Sequence, residues 1–163
     1  MTIEHETQRV LDRAVELVCS ALDRELDDLL CLDDGTSVYE QFARLVGFDP
    51  ETHRSLEQEV RRQVWRPVAQ GAVVRLVRSL LDAAVTAPRA FAEADLVALV
   101  DAWALDTFAR RVSLSGADAA RVVGVAARVL LESDLLAETA VLARAGARFS
   151  VARESGRLAV APL

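Results

Sequence analysis

The sequence predicts an all-α single domain: six or seven helices around a central apolar helix at about 68–86, closed by a short β-hairpin at about 148–161. Three observations predict it. Apolar residues recur at intervals of three and four along most of the chain, the helical period. Capping residues, glycines and prolines punctuate those runs at helix-like lengths. Only the tail ARFSVARESGRLAVAPL changes to alternation, about Glu154-Ser155-Gly156, which is a hairpin pattern. With 163 residues, 52% hydrophobic and 27% charged, the chain is of one-domain size, can bury a core, and is not globally disordered.

The first helix is expected from about Ile3 to Leu32. Thr2 is placed to cap it, Glu4 and Glu6 sit in its first turn, and Gly35 stops it. Val10, Leu11, Ala14, Val15, Val18, Leu22, Leu26, Leu29 and Leu30 form its apolar face, with an acidic stripe of Asp12, Glu16, Asp23 and Asp27 opposite. Ser37 and Glu40 make a capping box for a short second helix ending at Gly47. Asp49-Pro50-Glu51 starts a third, which runs to Arg66, where Pro67 predicts a kink or break.

The central helix follows. Val73, Leu76, Val77, Leu80, Leu81 and Ala84 share one face, widened by Val74 and Val85. Arg75, Arg78 and Asp82 interrupt the run, so it does not read as a membrane span of roughly 20 apolar residues. The next helix, about 92–112, aligns Leu96, Val100, Trp103, Thr107 and Phe108. Ser115 and Asp118 open another that ends at Glu132, and Ser133-Asp134 cap a last one from Leu135 to Ala145, closed by Gly146.

The formal charge is −6, unevenly spread. Residues 1–53 hold 13 acids against four arginines, 54–89 seven arginines against three acids, 90–140 eight acids against four arginines, and 141–163 four arginines against Glu154. The acidic total argues against nucleic acid as the main partner. Every one of the 19 basic residues is arginine, as a GC-rich genome would give. Cys19 and Cys31, on one helix, would lie ~18 Å apart, beyond the ~7 Å reach of a disulfide. They read as buried free thiols of a reducing cytoplasm. The N-terminus lacks the basic and apolar regions of a secretion signal.

Three stretches can carry function. Arg61-Arg62-Gln63-Val64-Trp65-Arg66 sets arginines beside an aromatic. That pattern suits a protein interface, with Arg61, Arg62, Trp65 and Arg66 as anchors. It suits phosphate binding with stacking, and equally an intramolecular pairing with Glu57, Glu59 or the acidic first helix. Asp27-Asp28-Leu-Leu-Cys-Leu-Asp33-Asp34 resembles the aspartate-rich motif of short-chain prenyl diphosphate synthases. The resemblance implies Mg²⁺ held on a diphosphate by Asp27, Asp28, Asp33 and Asp34; the other reading is a solvated acidic helix end. Leu114 to Val125 resembles the first half of a helix-turn-helix, and VLARAGARFSVARESGRLAV the end of a recognition helix running into the wing of a winged-helix domain. That resemblance covers about 92–163 and implies DNA contacts from Arg128, Arg144, Arg148, Arg153 and Arg157. Neither His5 nor His53 has a Cys or His neighbour at ligand spacing.

The function expected from the residues is therefore a non-catalytic, cytoplasmic interaction or regulatory module, with a protein partner or a second copy of itself paired through the long first helix, no cofactor and no membrane. A winged-helix DNA-binding regulator and a Mg²⁺-dependent diphosphate enzyme are the alternatives.

Overall fold

The computed structural model describes residues 3–30, 45, 47, 54–136 and 141–163. Among the described residues are five α-helices: α1 (Ile3–Glu25), α2 (Arg54–Ala83), α3 (Glu93–Ala98), α4 (Ala102–Arg111) and α5 (Gly116–Glu132). A single 3₁₀ turn, Asp27–Leu30, follows α1. Four strands, β1 (Arg89–Phe91), β2 (Val141–Arg144), β3 (Ala147–Glu154) and β4 (Arg157–Pro162), form one antiparallel sheet in the order β1-β4-β3-β2.

The expected bundle of six or seven helices with a lone hairpin is thus corrected to a mainly helical chain carrying a four-stranded sheet. Four local differences account for the correction. Pro67 lies inside α2, a single 30-residue helix, rather than separating two. A proline there forfeits one backbone hydrogen bond, but Trp65, Val68, Ala69 and Ala72 are buried on either side and hold the helix through it. The segment 92–112 is two helices, because the Asp101 carboxylate accepts from the Ala104 N–H and starts α4 afresh. Residues 141–144, expected at the end of a last helix, are a strand: Leu142 pairs with Phe149. Finally, Arg89–Phe91 pairs with 158–160 as a strand of its own, too short to show alternation. The expected helix about 37–46 lies outside the described residues apart from Leu45, and Cys31 and His53 lie outside them too.

The core is shared between α2 and α5. Val73, Leu76, Val77, Leu80, Leu81 and Ala84 are all buried. Helix α5 contributes Ala119, Val122, Val123, Val125, Ala126, Ala127 and Leu130, and it contacts each of the other four α-helices. Ser115 caps it by accepting from the Asp118 N–H. The small Ala and Val side chains of α5 let several helices approach one axis, so the hub of the fold is α5 as much as the apolar half of α2. Phe91, Leu142, Phe149, Val151, Leu158 and Val160 seal the inner face of the sheet against the helices.

Both hairpin turns are two residues with positive φ, Ala145-Gly146 (51° and 83°) and Ser155-Gly156 (51° and 74°). That geometry matches the twist of paired strands. At the β2 edge the Ala143 N–H donates to Thr7 Oγ1 of α1 at 3.0 Å. The exposed ladder groups that make an edge strand sticky are thereby covered on that side. No helix among the described residues is long and apolar enough to cross a membrane.

Candidate functional site

Helices α1 and α2 meet through the charges that the sequence set apart. Arg61 Nε donates to Asp23 Oδ1 at 2.6 Å and Arg66 donates to Glu16 Oε1 at 2.6 Å. The end of α1 and the 3₁₀ turn are met from α5: Arg128 clasps Glu25 with both terminal nitrogens, and Arg121 donates to both Asp28 oxygens at 3.0 Å. Carboxylates at a helix C-terminus oppose the helix dipole, and here guanidinium groups of the same chain offset that. The hydrogen bonds from Arg128 and Arg121 hold the Glu25 and Asp28 carboxyls below their ordinary pKa.

This arrangement decides where the sequence-derived candidates stand. Arg61 and Arg66 face the acidic stripe of α1. Trp65 is buried in the core, and its indole N–H has no acceptor among the described residues. Arg62 stays exposed beside a groove lined by Cys19, Ser20, Asp23 and Gln58. Of the aspartate-rich stretch, Asp28 is engaged by Arg121, Asp27 is exposed, and Asp33 and Asp34 lie outside the described residues. No group of three or more His, Cys, Asp or Glu side chains among the described residues could hold a metal ion.

The five arginines of the winged-helix resemblance divide. Arg128 holds Glu25, Arg144 grips Asp82 at 2.6 and 3.0 Å, and Arg153 donates to Asp134 and to the Glu132 carbonyl, each at 3.0 Å. Arg148 and Arg157 are exposed and form no ion pair among the described residues. The helix that precedes the hairpins, α5, is buried around much of its circumference, and the arginines of its remaining face, Arg121 and Arg128, are engaged by Asp28 and Glu25.

The spacing aligns Trp103 with Leu96 and Phe108 on one face of a single helix, whereas in the structure Leu96 and Phe108 are buried and Trp103 is 75% exposed. The break at Asp101 resets the helical phase, so Trp103 no longer shares a face with Leu96. Its helix is fixed at the other end by Phe108, which is fully buried. The signal that could have found it was the N-cap aspartate two residues upstream. The flanking sequence holds exposed Val97 and the carboxylates of Glu93, Asp95, Asp101 and Asp106, of which Asp106 pairs with Arg110 at 3.1 Å. Asp95 and Asp101 are held in place by the backbone N–H groups of Ala92 and Ala104. No basic residue occurs between Arg89 and Arg110.

Comparison with protein-family models, with curated proteins and with solved structures finds no match to this chain.

Proposed function

We propose that this protein is a non-catalytic interaction module that associates with a second copy of itself through the α3–α4 surface around Trp103. The observation that carries the reading is the 75% exposure of Trp103, while the other aromatic side chains described, Trp65, Phe91, Phe108 and Phe149, are buried. Tryptophan is the side chain most favoured as an interface anchor, and leaving it in water costs the burial of a large apolar area.

The charge of the surroundings selects the occupant. The segments flanking Trp103 carry the exposed carboxylates of Glu93, Asp95 and Asp101, with Asp106 already paired to Arg110, whereas the β2–β3–β4 hairpins offer the exposed guanidinium groups of Arg148 and Arg157. A second copy therefore supplies both the cations for the acidic rim and a group able to stack on the indole face. The paired surfaces differ, so the contact is head-to-tail, or closes as a dimer when two such contacts meet about one axis. The first helix contributes less than the sequence suggests, because its apolar face is covered by α2, α5 and β2. A free, buried Cys19 fits a reducing cytoplasm.

Sedimentation velocity of the full chain up to about 100 µM, a range that reaches weak self-association, tests the reading. Association that weakens in Trp103→Ala and at high salt is expected. A wild-type chain that stays monomeric throughout would remove the second copy as the partner. The DNA-binding alternative has less support, since Arg128, Arg144 and Arg153 are occupied by carboxylates of their own chain.

A further inference from the structure

Several grooves on this protein mix arginines with carboxylates. The one between α1 and α2 presents Arg9, Arg13 and Arg66, but Asp12 and Glu16 line it as well. Beyond Gln70, which lines both, and where α4 ends, an open groove of about 480 Å³ is lined by Arg75, Arg78 and Arg111, with Gln70 and Ser79 beside them and no carboxylate in its lining. None of these three arginines has an ion pair among the described residues, in a chain where seven other arginines do. The nearest acid along the helix, Asp82, feels the charge of Arg78 but is gripped by Arg144.

The groove is also built. Arg75 is half-buried, and its guanidinium carbon lies 5.9 Å from the centre of the Phe108 ring, which is itself fully buried. This cation–π contact restrains one of the three forks before any ligand arrives. Arg78 lies one turn along the same helix, where side chains three residues apart are neighbours. Arg111 reaches the groove from the last turn of α4. Three like charges on one concavity repel one another, and a multiply charged anion removes that repulsion while engaging each planar fork bidentately.

We infer that this groove is a binding site for a small molecule bearing two or more phosphate groups, of the pyrophosphate type. Arg75 is the fixed anchor, Arg78 and Arg111 close on the remaining oxygens, and Gln70 and Ser79 supply neutral donors. The site is separate from the aspartate-rich stretch, needs no metal, and does not depend on the role of Trp103.

Thermal unfolding of the full chain with sodium pyrophosphate, against sodium chloride at matched ionic strength, tests the site; a nucleoside diphosphate forms a second arm. A saturable rise in Tm with pyrophosphate is expected. Arg78→Gln and Arg111→Gln each weaken it by about ten-fold or more, the worth of a charge-assisted hydrogen bond. Arg24→Gln, an exposed arginine of α1 away from the groove, leaves it unchanged. Tighter binding of the nucleotide than of pyrophosphate would extend the ligand beyond its phosphates. Arg75→Gln also loosens Phe108, so the two rim variants decide. A shift no larger than that of chloride, undiminished binding in both rim variants, or an equal loss in Arg24→Gln overturns the site. So does displacement by duplex DNA at lower phosphate concentration than pyrophosphate.

Discussion

A Cβ atom on Gly71 would lie 2.9 Å from the ring of Phe108, closer than side chains pack. Helix α4 rests on α2 at this point because glycine leaves room for the ring, and the same ring carries Arg75 above it. In an open helix, Gly→Ala would stabilise by about 1 kcal/mol. Here overpacking costs about 1–3 kcal/mol, so Gly71→Ala is expected to be neutral to destabilising by up to about 2 kcal/mol, and Gly71→Val worse. Urea denaturation measures it. A gain near the open-helix value would mean that Phe108 moves aside freely and that the contact does not set the α2–α4 spacing.

The grip of Arg144 on Asp82 ties the edge strand β2 to the end of α2. Its hydrogen bonds hold the Asp82 carboxyl below its ordinary pKa. A carboxyl whose pKa is lower folded than unfolded stabilises the fold above the unfolded value, near 4, and the contribution fades as pH falls through the folded value. With the pair 33% and 60% exposed, solvent screening limits it to about 0.5–1 kcal/mol. The stability difference between wild type and Arg144→Ala should accordingly shrink below about pH 4. Denaturation curves across that range would show it, and a difference constant from neutral to acid pH would contradict the pairing.

Cys19 is buried between α1 and α2, and burial, with Glu16 nearby, pushes its thiol up to about 11 from 9.0, while Arg66 and Arg62 pull the other way. Two units of pKa lower the thiolate fraction at neutral pH about 100-fold, and the thiolate is the reactive form. In a Cys31→Ser background, labelling of Cys19 by a thiol reagent should be at least that much slower in the folded chain than in urea. The neutral thiol favours the fold below the unfolded pKa, and that contribution is lost as pH rises from 9 towards 11. Rapid labelling under native conditions would show that Cys19 opens to solvent.

The apolar face of α2 and the cap of α5 were legible because each is a local pattern: Val73 to Ala84 at helical spacing, and Ser115 three residues before Asp118. What misled were signals with two meanings. Gly146 reads as a helix stop, yet a glycine of positive φ closes a two-residue hairpin equally well, and only the pairing of Leu142 with Phe149 decides between them. Pro67 reads as a break, yet burial on both sides outweighs one lost hydrogen bond. The arginine pairs with the end of α1 were visible only as charge segregation, since Arg121 and Asp28 stand 93 residues apart. The arginine groove was partly in view as the polar strip of Arg75 and Arg78, but Arg111 joins it from a helix whose phase the sequence did not fix.

Thr7 is a buried polar residue of α1, and its hydroxyl oxygen accepts from the Ala143 N–H of β2. Without it, that part-buried N–H would lose its acceptor, which is costly in so far as water cannot reach it. Thr7→Val keeps the shape and removes the oxygen, so it should destabilise by about 1–3 kcal/mol. Thr7→Ser should restore most of the loss. Hydrogen exchange localises the effect: the Ala143 amide should exchange faster in Thr7→Val while the amides of α5 change only with global stability. If the Ala143 amide were equally protected in both variants, the edge of the sheet would be covered by something other than this hydroxyl.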